Sequence, residues 1–110
     1  MNYTFIEINE NKHPIKFGFN ALRKFSSKTN TSLQDLDKLG TDMTLDSALI
    51  LIHCGIEDGY RASKQECELT IDDLADLIDG DFNSISRAME ILGEQMGGNT
   101  KSKKPKAKKK

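Results

Sequence analysis

Valine and tryptophan are absent from the 110 residues, and aromatic residues make up only 6 %. Ten isoleucines and eleven leucines must therefore supply most of any core. Two cysteines, Cys54 and Cys67, are too few for a disulfide framework. The N-terminus has no basic region followed by an apolar run, so no signal peptide is expected and the cysteines read as buried thiols. The longest unbroken apolar stretch, residues 48–52, is far too short to span a bilayer. Hydrophobic residues at 36 % and charged residues at 30 % leave enough material for one modest core. One compact domain over residues 1–98 is expected.

A net charge of −1 conceals an uneven layout. Seven of the sixteen Lys and Arg residues lie in 101–110, which contains no acid. The first 100 residues thus hold nine basic and seventeen acidic side chains, a net of −8. Such a body is repelled by phosphate backbones, so specific nucleic-acid reading is disfavoured. The composition of residues 99–110 predicts a disordered Lys-rich tail.

Along the chain, residues 3–8 are β-branched and aromatic and read as a strand. Residues 9–12 form a polar turn, and residues 13–17 a return strand that, with Pro14 near its start, is expected to lie at an edge or to open outward there. A helix starts near Phe19 or Asn20 and turns Ala21, Leu22 and Phe25 inward before a Ser/Thr/Asn cluster at 26–32. Leu33, Leu36 and Leu39 predict a short helical turn ended by Gly40.

Thr44 is an N-cap candidate for the most apolar helix, residues 45 to about 61, with a stripe of Leu45, Leu49, Ile52, Ile56 and Tyr60. Ile50 and Leu51 point elsewhere, so this helix is expected at the centre. Gly55 and Gly59 within it imply close approach of another element, or fraying. Thr70 and Asp73 fit a capping pattern for a helix over 71–79 that buries Ile71, Leu74, Ala75 and Ile78. Asp81 is expected to cap a last helix, 82 to about 96, with Phe82, Ile85, Met89, Leu92 and Met96 at heptad spacing. The expected fold is α+β and mostly α: an N-terminal β-hairpin followed by four to five helices and the basic tail.

Catalytic and metal-binding patterns are missing. His53 and Cys54 are adjacent on a helix and point about 100° apart. The chain has no CxxC, HxxxH, GxGxxG or GxxxxGK spacing. Asp72, Asp73, Asp76, Asp79 and Asp81 lack the alternating ligands and twelfth-position Glu of a calcium loop and read as a solvated, capping face. No catalytic residue, cofactor or metal is therefore expected, and the chain is not expected to be an enzyme. The candidates for partner contact are apolar: Phe5 and Ile8 on the hairpin, and Met89, Leu92 and Met96 on the last helix. Methionine adapts to varied apolar surfaces, and a two-stranded ribbon with apolar residues on both faces needs cover, through self-association or a client.

The run Ile6-Glu7-Ile8-Asn9, then Ile15-Lys16-Phe17-Gly18-Phe19 with Leu22, resembles the tail assembly chaperone family of long-tailed bacteriophages. So does residues 69–79, Leu-Thr-Ile-Asp-Asp-Leu-Ala-Asp-Leu-Ile-Asp, and the apolar helix ending in Gly55 and Gly59-Tyr60 stands where that family has its apolar middle helix. The resemblance covers roughly residues 3–95 and rests on the order and spacing of these runs; the Lys-rich end departs from it.

The resemblance implies a non-enzymatic helper that binds the tape measure protein, keeps it soluble and helps recruit tail tube protein. It also implies action in the host cytoplasm and absence from the mature virion. The alternatives are a small structural virion protein of the tail-completion or head–tail connector type, and a nucleic-acid-binding regulator acting through its tail.

Overall fold

The computed structural model describes residues 3–32, 35 and 43–97. Two strands, β1 (Thr4–Ile8) and β2 (Asn11–Ile15), form an antiparallel hairpin. Among the described residues four helices follow: α1 (Phe19–Thr29), α2 (Leu45–Ala62), α3 (Ile71–Asp79) and α4 (Ser84–Leu92), the last running into a π-helical turn, Gly93–Gly97. The expected α+β hairpin-plus-helices architecture is therefore the one observed. The predicted turn around Leu33, Leu36 and Leu39, and the Lys-rich tail, lie outside the described residues.

The hairpin turn is shorter than the sequence implied. It uses two residues, Asn9 and Glu10, both at positive φ (51° and 73°), the signature of a type I′ connection. Asn11 and Lys12 consequently join β2, pairing with Ile8 and Glu7. The corner between α3 and α4 holds this strained turn: the Asn9 N–H donates to Asp81 Oδ2 at 3.0 Å, and the Asn9 side chain lies over Gly80.

Alternation along the ribbon sorts its faces. Ile6, Ile8 and Ile15 enter the core, whereas Phe5 and Glu7 face outward. Pro14 is buried although it pairs with exposed Phe5, because β2 runs against α2. A Cβ at Gly55 would stand 2.6 Å from the Phe17 ring, and one at Gly59 only 2.4 Å from the Pro14 backbone. The two glycines thus let strand and helix touch, and the Lys16 N–H donates to the Gly55 carbonyl at 2.9 Å. Close approach, not fraying, explains them.

α2 occupies the centre, packed on by α1, β2, α3 and α4. Leu51, Ile52, Cys54 and Ile56 are fully buried within it. Thr44 caps it by accepting from the Ser47 N–H at 3.0 Å. Thr70 and Asp73 close a reciprocal capping box on α3.

The last helix departs most from expectation. Asp81 does not cap it. Its carboxylate instead accepts from Arg87 (2.9 Å) and from the Asn9 backbone. Helix α4 begins only at Ser84, leaving Phe82 in the preceding turn, and the π-helical turn shifts the side-chain phase after Leu92. A single heptad stripe from Phe82 to Met96 therefore does not exist. Arg87 also donates to the Glu7 carbonyl (2.8 Å), and Gln95 Oε1 accepts the Phe17 N–H at 2.7 Å, so polar bonds tie this end of the chain to the hairpin.

Candidate functional site

An apolar groove opens between the first turns of α2, the C-terminal half of α3 and the start of α4. Its volume is about 380 Å³. Leu45, Leu49 and Ile52 form one wall, Ala75 and Ile78 another, and Phe82 and Ile85 the third. Asp76 and Asp79 are the polar members of the lining. Leu45 is 71 % exposed and Phe82 66 % exposed at its two lips.

Local sequence explains why these residues stay uncovered. Leu45 is the first residue of α2, where no preceding helical turn covers its side chain. Phe82 precedes α4 in a turn whose carbonyl accepts the Ile85 N–H. Two large apolar side chains at element ends thus flank a floor of half-buried and buried aliphatics.

The rim is acidic for no evident structural gain. Asp72 and Asp73 sit in the first turn of α3, where a helix favours negative charge. Asp76 and Asp79 lie toward its C-terminus, where the helix dipole opposes them, and no basic residue occupies that last turn. Both are exposed, and neither makes an ion pair or side-chain hydrogen bond among the described residues.

The five residues expected at a partner contact do not form one exposed surface: Ile8, Met89, Leu92 and Met96 meet at the core, and Phe5 stands apart from them. Phe5 is 54 % exposed on the outer face of the hairpin, in edge-to-face contact with Tyr3 at 5.7 Å. Ile8 and Leu92 are core residues, 0 % and 6 % exposed, and offer no surface to a partner. Inward alternation of β1 and the α4 stripe that packs on the hairpin account for this. Met89 and Met96 are half-buried against the same core. The groove residues Leu45, Leu49, Ile78 and Phe82 read from sequence as core. The available signal was positional: an apolar residue at the first position of a helix, or just before one, has few neighbours to cover it.

The buried polar groups are structural. His53 Nε2–H donates to the Leu69 carbonyl at 2.7 Å, which fixes the connection leading into α3. Asp58, 1 % exposed, accepts from Arg61 through Oδ1 at 2.7 and 2.8 Å. Burial pushes the Cys54 and Cys67 thiols up, which keeps them protonated and poorly nucleophilic near neutral pH. Among the described residues no group of three or more His, Cys, Asp or Glu could hold a metal ion, and no helix is long and apolar enough to cross a membrane.

No protein-family model, curated protein or solved structure matches the chain.

Proposed function

We propose that this chain is a tail assembly chaperone of a long-tailed bacteriophage, which binds the tape measure protein, keeps it soluble and helps bring tail tube subunits to it. The observation that carries this reading is the solvent-open apolar groove on a small, strongly acidic body. An open groove with two carboxylates at its rim suits the apolar face of a helix better than an enclosed small molecule, whose sites bury most of the ligand. Long amphipathic helices awaiting assembly aggregate unless covered, and an acidic carrier keeps the complex in solution.

The resemblance over residues 3–95 supplies the client's identity. On this reading the protein acts in the host cytoplasm, performs no chemistry and is absent from finished virions. Co-expression with the cognate tape measure protein tests the reading. The soluble fraction of that client rises and the two co-purify. No gain in solubility and no co-purification would overturn it, and recovery of the chain in purified virions at structural stoichiometry would favour the virion-component alternative.

A further inference from the structure

We propose that the groove selects its occupant by charge: it takes an amphipathic helix whose apolar stripe is flanked by lysine or arginine, with Asp76 and Asp79 as the recognition residues. This rests on the client-binding reading above, but names a property of the site that the reading does not contain. The two carboxylates stand on the negative end of α3, where the helix dipole makes them costly, and no cation compensates them within the described chain. The acid with a structural role on this same helix, Asp73, sits at the other end, in the capping box. The apolar walls desolvate one face of a docked helix, and the carboxylates at the rim remain placed to meet cationic side chains one turn away on it.

A second copy of this chain fits less well. Its α1 carries exposed Phe19 beside Arg23, but the other apolar residues of α1, Ala21, Leu22 and Phe25, face its own core. One aromatic ring does not fill a groove with three apolar walls.

The test uses two soluble amphipathic peptides of roughly 15 residues with the same leucine stripe, one flanked by Lys and the other by Glu. Binding to the full chain is measured by titration, with NMR shifts locating the contact. The Lys-flanked peptide binds about tenfold more tightly at low salt, as expected for two exposed ion pairs. The preference shrinks as salt rises. Shifts cluster at Leu49, Ala75, Ile78 and Ile85. The D76K/D79K variant reverses the preference, and D76N/D79N, which keeps the exposed positions uncharged, abolishes it.

Equal affinity for both peptides would overturn the proposal, as would shifts confined to Phe5 or Phe19. So would a concentration-dependent doubling of mass that L45S removes, since the groove would then be filled by a second copy. Failure of the chaperone reading is separate: the peptide preference would stand while the tape measure protein gained no solubility.

Discussion

Gly59 of α2 lies against the backbone of Pro14 in β2, so closely that a Cβ there would stand 2.4 Å from the Pro14 carbonyl carbon and oxygen. Proline cannot donate to a strand ladder, and here the side of the strand it would leave unpaired is the side pressed on the helix. This contact sets how the hairpin sits on the rest of the molecule. Gly59→Ala must move backbone rather than a flexible side chain, so a loss of about 3 kcal/mol is expected, the upper end of overpacking costs. The gain in helix propensity, about 1 kcal/mol, does not offset it. Gly93→Ala is the control, because nothing lies within 4 Å of the added methyl. It is expected to be neutral or to stabilise by up to about 1 kcal/mol. Urea melts of the two variants measure the difference, and equal stability of Gly59→Ala and Gly93→Ala would contradict the expectation.

Helix α3 is only nine residues long and depends on its capping box. Thr70→Ala is expected to cost about 1 kcal/mol. Because α3 also forms one wall of the groove, the same change raises hydrogen exchange at Ala75 and Ile78 before it unfolds the domain. Uniform exchange across the chain would show that α3 does not move separately.

His13 gives the fold a mild acid sensitivity. Its Nδ1 is 2.9 Å from the Tyr60 hydroxyl, and burial holds the imidazole below its ordinary value of about 6.5. The unfolded chain therefore takes up the proton first. This contribution to stability is complete above about pH 6.5 and is lost as pH falls through the lower folded value. Asp81 acts later on the same descent: the Arg87 guanidinium and the Asn9 N–H hold its carboxyl below the usual carboxylate range. Its contribution is present above that ordinary range and is lost as pH falls through the depressed value. The His13→Asn variant flattens the first step and leaves the second. Thermal melts over roughly pH 3–7 separate the two.

Met89 and Met96 pack half-buried on the core, and neither lines the groove. Met89→Asp is therefore expected to lower stability by about 1–3 kcal/mol through burial of an unpaired charge. Any loss of client binding should follow the fraction unfolded, measured by circular dichroism on the same samples. A folded Met89→Asp protein that fails to bind would place the client on α4 instead.

The hairpin, the central helix and both N-cap threonines were legible in the sequence, because each follows from a local rule: strand composition, apolar periodicity, a Thr three residues before a free N–H. The two helix glycines left close approach and fraying both open, and only the packed strand decides between them. The turn was not legible. Asn9 and Glu10 carry no glycine to announce positive φ, and the tie on the turn comes from distant Asp81, which accepts the Asn9 N–H. The same Asp81 bond explains the misread start of α4, since a carboxylate engaged by Arg87 and Asn9 is not free to cap. The groove was illegible for a different reason. Periodicity marks Leu45, Leu49 and Phe82 as apolar, but only the lengths and ends of packed elements determine whether an apolar residue is covered.

The most direct test of the account is the paired substitution Leu45→Ser and Phe82→Ser in the co-expression experiment. Both side chains are mostly exposed, so the domain keeps its fold and its melting behaviour. The account predicts that this folded variant no longer raises the soluble fraction of the tape measure protein, while Phe5→Lys on the hairpin still does. A folded Leu45→Ser/Phe82→Ser protein that protects the client as well as the original chain, with Phe5→Lys failing instead, would contradict the groove as the client site.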